Sequence, residues 1–160
     1  MAQKKFLRRT LREKSLQVLY AFELNPDALT VSMEGILADI PLSADKEFSR
    51  NLINKVIING AELDDQIRKR VTNWEMDRIA LIDKLLLRMG IAELLYFPDI
   101  PPKVTINEVI EIAKDYSTSN SGKFINGILD ALLSELKTGN QLKKTGRGLI
   151  DNTIAKKSAE

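Results

Sequence analysis

The stretch "INEVIEIAKDYSTSNSGKFINGILD", residues 106–130, contains two apolar patterns of helical spacing that are separated by a polar loop. The first pattern repeats every three or four residues, at Ile106, Val109, Ile110 and Ala113. The second continues at Phe124, Ile128, Leu132 and Leu136. A capping-box pattern, Thr105 followed by Glu108, predicts the start of the first helix. The stretch therefore predicts two amphipathic helices, the second starting near residue 121.

The same spacing extends through most of the chain. It predicts helices over residues 7–24 and 31–40, and over residues 44–71 with a break at Asn59-Gly60. Residues 79–96 are apolar on almost every side, which predicts a central helix that Asp77 caps and that another backbone approaches at Gly90. No strand-like alternation occurs. We therefore expect an all-α fold, a compact bundle of about six or seven helices.

The composition suits one domain and excludes several kinds of chemistry. The chain has 160 residues and is 44% hydrophobic, enough for one sizeable core. It contains no cysteine and no histidine, which excludes disulfides, thiolate nucleophiles, Ser-His-Asp triads and the usual zinc sites. Three acidic residues at helical spacing, Glu108, Glu111 and Asp115, are typical of a solvated helix face rather than of an acid/base pair. We expect no enzymatic activity, no cofactor and no metal.

The chain also lacks the features of a secreted or membrane protein. Arg8 and Arg9 interrupt the apolar residues that follow the basic start, so no signal-peptide core forms there. The apolar segment over residues 79–97 contains Asp83, Lys84 and Glu93, which are costly in a bilayer. We expect a cytoplasmic protein without membrane contact.

Positive charge is concentrated at both ends of the chain. Residues 1–14 contain six basic side chains and one acidic one, and residues 137–160 contain six and two, although the net charge is only +2. The acidic middle and the basic ends indicate separate surfaces for a polyanion and for a basic partner, unless the ends are simply solvated. Residues 138–160, with three glycines and scattered lysines, are predicted to form a basic, flexible tail in which Leu149, Ile150 and Ile154 dock weakly at most.

Two groups of residues are candidates for binding RNA. Arg8, Arg9 and Arg12 form a basic patch on the first helix, where positive charge opposes the helix dipole and a phosphate partner would explain it. An exposed basic helix start is the alternative. In the polar loop, Asn120 and Ser121 offer polar groups to an RNA strand.

The two residues that follow this loop extend the second candidate group. Lys123 can hold a phosphate together with the helix N-terminus, and Phe124 can stack on a base. The helical spacing of Phe124 with Ile128 also fits a core position.

Three segments resemble the NusB family of transcription antitermination factors. They are "RRTLREKSLQVLYAFEL" (8–24), "LLLRMGIAELLYF" (85–97) and "PPKVTINEVIEIAKDYSTSNSGKFINGILDALL" (101–133). The resemblance covers about residues 8–137. It implies two packed helical subdomains within an RNA-binding domain over residues 1–137. It also implies binding of single-stranded boxA RNA in ribosomal RNA transcripts, together with the ribosomal protein NusE, in the RNA polymerase antitermination complex.

The resemblance also implies roles for individual residues. Arg9, Arg12, Tyr20, Arg88, Lys123 and Phe124 match positions near RNA, whereas Asp83 and Glu93 match part of the NusE-facing surface. The loop before Lys123 often carries acidic residues in the family, and here Asn120 occupies such a position. Less repulsion predicts tighter RNA contact.

Two other functions remain as alternatives. A helical module that binds only protein would have the same amphipathic pattern. A NusB-like domain of a ribosomal RNA cytosine methyltransferase is disfavoured, because no methyltransferase domain follows and the cysteines of that chemistry are absent.

Overall fold

The computed structural model describes residues 6–150, and this part of the chain is all-helical. It contains eight α-helices and two short 3-10 turns, over Pro26–Ala28 and Gly146–Leu149, and no strand. The prediction of an all-α fold is confirmed. The chain divides into two compact units between Ile58 and Asn59, and each unit is described separately below.

The first unit consists of three helices, α1 (Arg8–Leu24), α2 (Leu29–Ile36) and α3 (Ser43–Ile58). Helix α1 packs against both of the others. Its apolar stripe meets that of α3, and the buried apolar side chains of the two helices are Leu11, Leu16, Val18, Leu19, Phe48, Leu52, Ile53 and Val56. Burial of each such side chain contributes about 1.5–3 kcal/mol. Asn25 is extended and ends α1, and Pro26 begins the 3-10 turn that follows.

The second unit is built around α6 (Leu81–Tyr96). This helix packs against α4 (Gly60–Arg68), α7 (Pro102–Tyr116) and α8 (Ser121–Thr138), and α7 packs against α8. Its side chains are buried almost all round, as the apolar sequence predicts. A Cβ on Gly90 would lie 2.9 Å from Leu129 Cδ1, so the close neighbour is a leucine side chain rather than the expected backbone.

Several helix starts differ from the predictions. Helix α7 begins at Pro102, because proline has the backbone geometry of a first helical residue, and Thr105 lies inside the helix instead of capping it. Asp77 follows the short helix α5 (Asn73–Met76), whereas α6 starts after Ala80.

The capping box of the second unit lies at Thr72 and Glu75. The Glu75 N–H donates to Thr72 Oγ1 at 3.0 Å and the Thr72 N–H donates to Glu75 Oε2 at 2.7 Å. These two bonds start α5, a helix of one turn that the apolar periodicity does not predict.

Residues 144–149, here called the C-terminal strap, pack at the end of α6. The Lys144 ammonium is buried and donates to the backbone carbonyls of Glu93 (3.0 Å) and Phe97 (2.7 Å). The Thr145 N–H donates to the Pro98 carbonyl at 2.9 Å. A Cβ on Gly148 would lie 1.9 Å from the same carbonyl oxygen, so this position requires glycine.

The strap differs from the flexible tail expected from residue 138 onward. Helix α8 continues to Thr138. The strap is held by the buried Lys144 and the close-packed Gly148, although lysine and glycine in the sequence are the reason to predict flexibility. Leu149 and Ile150 are exposed. Ile154 and the rest of residues 151–160 lie outside the described part of the chain. Among the described helices, none has the length and apolar character that crossing a membrane requires.

Candidate nucleic-acid interface

The three arginines of α1 occupy different environments. Arg8 and Arg9 are exposed, whereas Arg12 is only 2% exposed. The Arg8 guanidinium carbon lies 3.9 Å from the centroid of the Phe48 ring and that of Arg12 lies 5.5 Å from it. Cation–π contacts of this kind contribute about 0.5–2 kcal/mol. Phe48 therefore holds Arg8 at the surface of the first unit while Arg12 belongs to its interior.

The Arg12 guanidinium is buried in this structure, so a phosphate would reach it only after a rearrangement, and its RNA contact stays a prediction. The reason for this burial is the helical spacing. Arg12 precedes Leu16 and Leu19 by four and seven residues, which places it on the buried stripe of α1.

Tyr20 lies on the exposed part of α1. Its side chain is 39% exposed. Arg9 and Tyr20 are eleven residues apart, close to three full helical turns, so both lie on the same face about 16 Å apart along the axis. This face of the first unit combines a guanidinium and an aromatic ring.

The start of α8 presents Asn120, Lys123 and Phe124. Asn120 and Lys123 are exposed, and Asn120 is the N-cap residue although its side chain makes no capping hydrogen bond. The core stripe passes through Ile125 and Ile128, which leaves Phe124 half-buried instead of in the core. Phe124 is thus partly accessible and follows the exposed Lys123 directly in the sequence.

Ser121 has a different environment from its neighbours in the loop. It is 2% exposed, and its hydroxyl donates to Asp83 Oδ2 at 2.9 Å. Ser117 donates to the other carboxylate oxygen of Asp83 at 2.6 Å. Thr118 contacts Ser121 Oγ through its backbone N–H (3.2 Å) and its hydroxyl (2.9 Å). The Ser121 hydroxyl is therefore used inside the protein, and the contact of Ser121 with RNA stays a prediction.

Arg88 is partly buried and forms a two-bond ion pair with Asp64. The Arg88 Nε lies 2.7 Å from Asp64 Oδ1 and its Nη2 lies 2.9 Å from Oδ2. This paired geometry is the one that a guanidinium also uses for a phosphate. A phosphate that used the same two donors would therefore compete with Asp64.

A second polar contact joins α4 and α6. The Tyr96 hydroxyl donates to Glu62 Oε2 at 2.9 Å. Burial, followed by the hydrogen bond and the charge of Glu62, raises the pKa of Tyr96 to about 12.

The two residues predicted to face NusE are buried. Asp83 is 8% exposed, and both of its carboxylate oxygens accept hydrogen bonds from serines. Glu93 is completely buried, and its carboxylate accepts a bond from the Thr105 hydroxyl at 2.9 Å. Both carboxylates are used inside the protein in this structure, and their place on a NusE-facing surface stays a prediction.

The other acidic residues do not form a metal site in the part of the chain that is described. No group of three acidic, histidine or cysteine side chains there could hold a metal ion. Glu111 pairs with Lys114 at 2.6 Å, and Asp115 is exposed, as on an ordinary solvated helix face.

Two partners of the candidate residues, Phe48 and Asp64, do not follow from the sequence patterns. Phe48 lies 40 residues after Arg8, and Asp64 lies 24 residues before Arg88. Spacing patterns detect neighbours within one helix, whereas these pairs depend on which helices pack together.

The comparisons with known proteins agree with the helical fold. The model of the NusB family matches residues 9–134. The transcription antitermination protein NusB of Chloroherpeton thalassium is 50% identical over 149 residues, which cover 90% of this chain and 69% of that protein. The protein of the same name from Salinibacter ruber is 43% identical over 146 residues, covering 89% of this chain and 91% of that one.

Solved structures are similar as well. T. maritima NusB is 39% identical, with a TM-score of 0.76, and the match covers 82% of this chain and 94% of that one. A chain from a crystal structure of antitermination factors NusB and NusE in complex with dsRNA has a TM-score of 0.72. It is 24% identical, covers 80% of this chain and 96% of its own, and supports the fold alone. On the family match and these identities, the chain belongs to the NusB family.

Proposed function

We propose that this protein is a transcription antitermination factor that binds boxA-type single-stranded RNA of ribosomal RNA transcripts together with the ribosomal protein NusE. The family match over residues 9–134 and relatives named as antitermination proteins support this function. The single observation that carries the RNA-binding part is the pairing of an exposed Lys123 with a half-buried Phe124 at the start of α8.

The start of α8 suits a nucleotide. The first turn of a helix has free N–H groups and a partial positive charge, and the Lys123 ammonium adds a full charge at the same end. The accessible part of the Phe124 ring offers a surface for one base, a contact worth about 1–3 kcal/mol. The loop over residues 117–122 carries no acidic side chain, so nothing within it repels a phosphate.

The first unit supplies a second, separate set of groups. Arg8, which is held over Phe48, and Arg9 are the exposed cations of α1 proposed to meet phosphates, and Tyr20 is the exposed aromatic side chain proposed to lie near a base. Arg88 belongs to the proposed surface as a partly buried guanidinium that is paired with Asp64. Arg12 and Ser121 are buried in this structure, and they are proposed to support the neighbouring surface groups from inside the protein.

The proposed protein partner is NusE. One of the similar crystal structures is of antitermination factors NusB and NusE in complex with dsRNA, and the acidic middle of this chain suits a basic ribosomal protein. With Asp83 and Glu93 buried, this contact is proposed to use acidic side chains at the surface. The proposed place of action is the RNA polymerase antitermination complex in the cytoplasm.

Binding of a boxA RNA to charge variants tests this function. Lys123→Ala is expected to weaken binding about tenfold and to reduce the slope of log K against log salt by about one, because one phosphate contact is lost. Lys69→Ala is the matched control, since Lys69 is an exposed lysine of the same unit at the end of α4. Equal losses in both variants would contradict a site at α8 and would indicate only general attraction of RNA to a basic protein.

A further inference from the structure

The turn between α7 and α8 is fastened to α6 by one buried carboxylate. Asp83 lies in the first turn of α6, 34 residues before Ser117 and 38 before Ser121. Each of its oxygens accepts one serine hydroxyl, at 2.6 and 2.9 Å. Charge-assisted hydrogen bonds of this length are stronger than bonds between neutral groups.

Ser121 has four polar neighbours in this cluster. Its hydroxyl oxygen lies 2.9 Å from Asp83 Oδ2, from Ser117 Oγ and from Thr118 Oγ1, and it accepts the Thr118 N–H at 3.2 Å. When its single proton is donated to Asp83, the Thr118 hydroxyl is the donor in the bond between those two hydroxyls. With both serine hydroxyls donating, each side-chain oxygen at position 83 acts as an acceptor, which suits a carboxylate. An amide there would direct an NH₂ group at one of the two serine hydroxyls.

Local capping does not fix the start of α8. Its N-cap side chain, that of Asn120, makes no capping hydrogen bond, and its first turn contains no acidic residue. Residues 118–120 are exposed. The side-chain anchor of this helix start is therefore the Asp83 cluster, which holds Ser121 two residues before Lys123.

We propose that Asp83 is a positioning residue for RNA binding, which sets the orientation of the first turn of α8 and thereby places Lys123 for a phosphate. This role rests on the proposed RNA-binding function. Asp83 does not touch RNA, because it is buried. It acts through Ser117 and Ser121.

Electrostatics and positioning predict opposite effects for Asp83→Asn. This variant removes one negative charge near a proposed phosphate site, so charge alone would tighten RNA binding. If Asp83 positions the turn, the same variant weakens binding about three- to tenfold, the effect of losing one or two hydrogen bonds. The sign of the change in affinity therefore separates the two explanations.

A double-mutant cycle with Lys123→Ala tests whether Asp83 affects RNA binding through Lys123. In the wild-type background Lys123→Ala is expected to cost about tenfold, and in the Asp83→Asn background less than about twofold, because a misplaced ammonium no longer meets its phosphate. General loss of stability would leave the two effects additive. Additive effects, or unchanged or tighter RNA binding by a folded Asp83→Asn variant, would overturn the proposal.

Asp130→Asn is the matched control. Asp130 lies on α8 and pairs with Lys103 at 3.7 Å, and both side chains are more than a third exposed. An exposed ion pair of this kind contributes little to stability. This variant therefore makes the same change of charge as Asp83→Asn without disturbing the turn. Its RNA affinity is expected to stay equal to that of wild type or to rise slightly, and a loss as large as that of Asp83→Asn would overturn the proposal.

Hydrogen exchange of the free protein tests positioning without RNA. Asp83→Asn is expected to accelerate exchange of the amides in residues 118–124, and Asp130→Asn is not. Unchanged exchange in Asp83→Asn would overturn the positioning role even if RNA binds. Conversely, a wild-type protein that fails to prefer boxA RNA refutes the proposed function, while hydrogen exchange still tests whether Asp83 holds the turn.

If Asp83→Asn does not fold, Ser117→Ala provides a milder test. Ser117 is partly exposed, and its substitution removes one of the two hydrogen bonds to Asp83. The variant is expected to show weaker RNA binding and faster exchange, both by less than Asp83→Asn.

Discussion

At the scale of single residues, burial decides what each charged side chain does. Arg8 and Arg12 both lie over the Phe48 ring, yet one is exposed and the other is enclosed. A patch that looks continuous in the sequence thus consists of two surface cations, Arg8 and Arg9, and one interior cation.

The interior position of Arg12 leads to a prediction about stability. Arg12→Ala is expected to lower the free energy of unfolding by about 2–4 kcal/mol, because it removes a large buried side chain together with its contact with the Phe48 ring. Arg9→Ala, the exposed counterpart, is expected to change it by no more than about 0.5 kcal/mol while weakening RNA binding. Urea denaturation measures both, and an Arg12→Ala variant as stable as wild type would contradict the assignment.

Lys144 gives a prediction about pH. Burial lowers the pKa of its ammonium to about 8, although the nearby carboxylates of Glu93 and Asp99 act in the opposite direction. Between pH 8 and 10.5 the folded protein binds fewer protons at this group than the unfolded chain does, so the contribution of Lys144 to stability rises with pH across that window.

Comparison with Lys144→Met isolates this contribution from other titrating groups. Between about pH 7.5 and pH 10, which lie near the two ends of this window, the free energy of unfolding of wild type is expected to rise relative to that of the variant. Urea denaturation at both pH values measures it. A difference that is constant or moves the other way would contradict the low pKa.

At the scale of elements, the C-terminal strap depends on one glycine. Gly148→Ala places a Cβ where the Pro98 carbonyl oxygen lies, so the strap has to detach or shift. We expect faster hydrogen exchange at Thr145 and lower stability. Gly127→Ala is the control, because no atom lies within 4 Å of its added Cβ and alanine stabilises a helix by about 0.5–1 kcal/mol. Slow exchange at Thr145 in Gly148→Ala would show that the strap tolerates a side chain.

The elements also show what sequence reasoning can predict. Seven helices, α1–α4 and α6–α8, follow from apolar periodicity, and the break at Asn59-Gly60 separates α3 from α4 as predicted. Helix α5 is one turn long, which is too short for a period to appear. The local sequence is enough to identify the exposed Lys123, but the Asp83 cluster joins residues more than thirty positions apart and depends on the packing of α6 with α7 and α8.

At the scale of the whole molecule, the proposed function assigns the basic groups to RNA and the acidic middle to a basic protein. Any effect of one partner on the binding of the other is then a coupling free energy between two surfaces. If NusE raises the affinity for boxA RNA by some factor, thermodynamic linkage requires that boxA RNA raise the affinity for NusE by the same factor. Titration of boxA RNA with and without NusE, and of NusE with and without boxA RNA, measures both factors.

The most direct test of the central claim is equilibrium binding of a boxA RNA and a scrambled RNA of equal length, at low and physiological salt, with and without NusE. We expect the protein to prefer boxA RNA, to keep part of that preference at physiological salt, and to bind boxA RNA more tightly when NusE is present. Equal and weak binding of both RNAs, with no effect of NusE, would contradict the account and would favour a helical module that binds only protein.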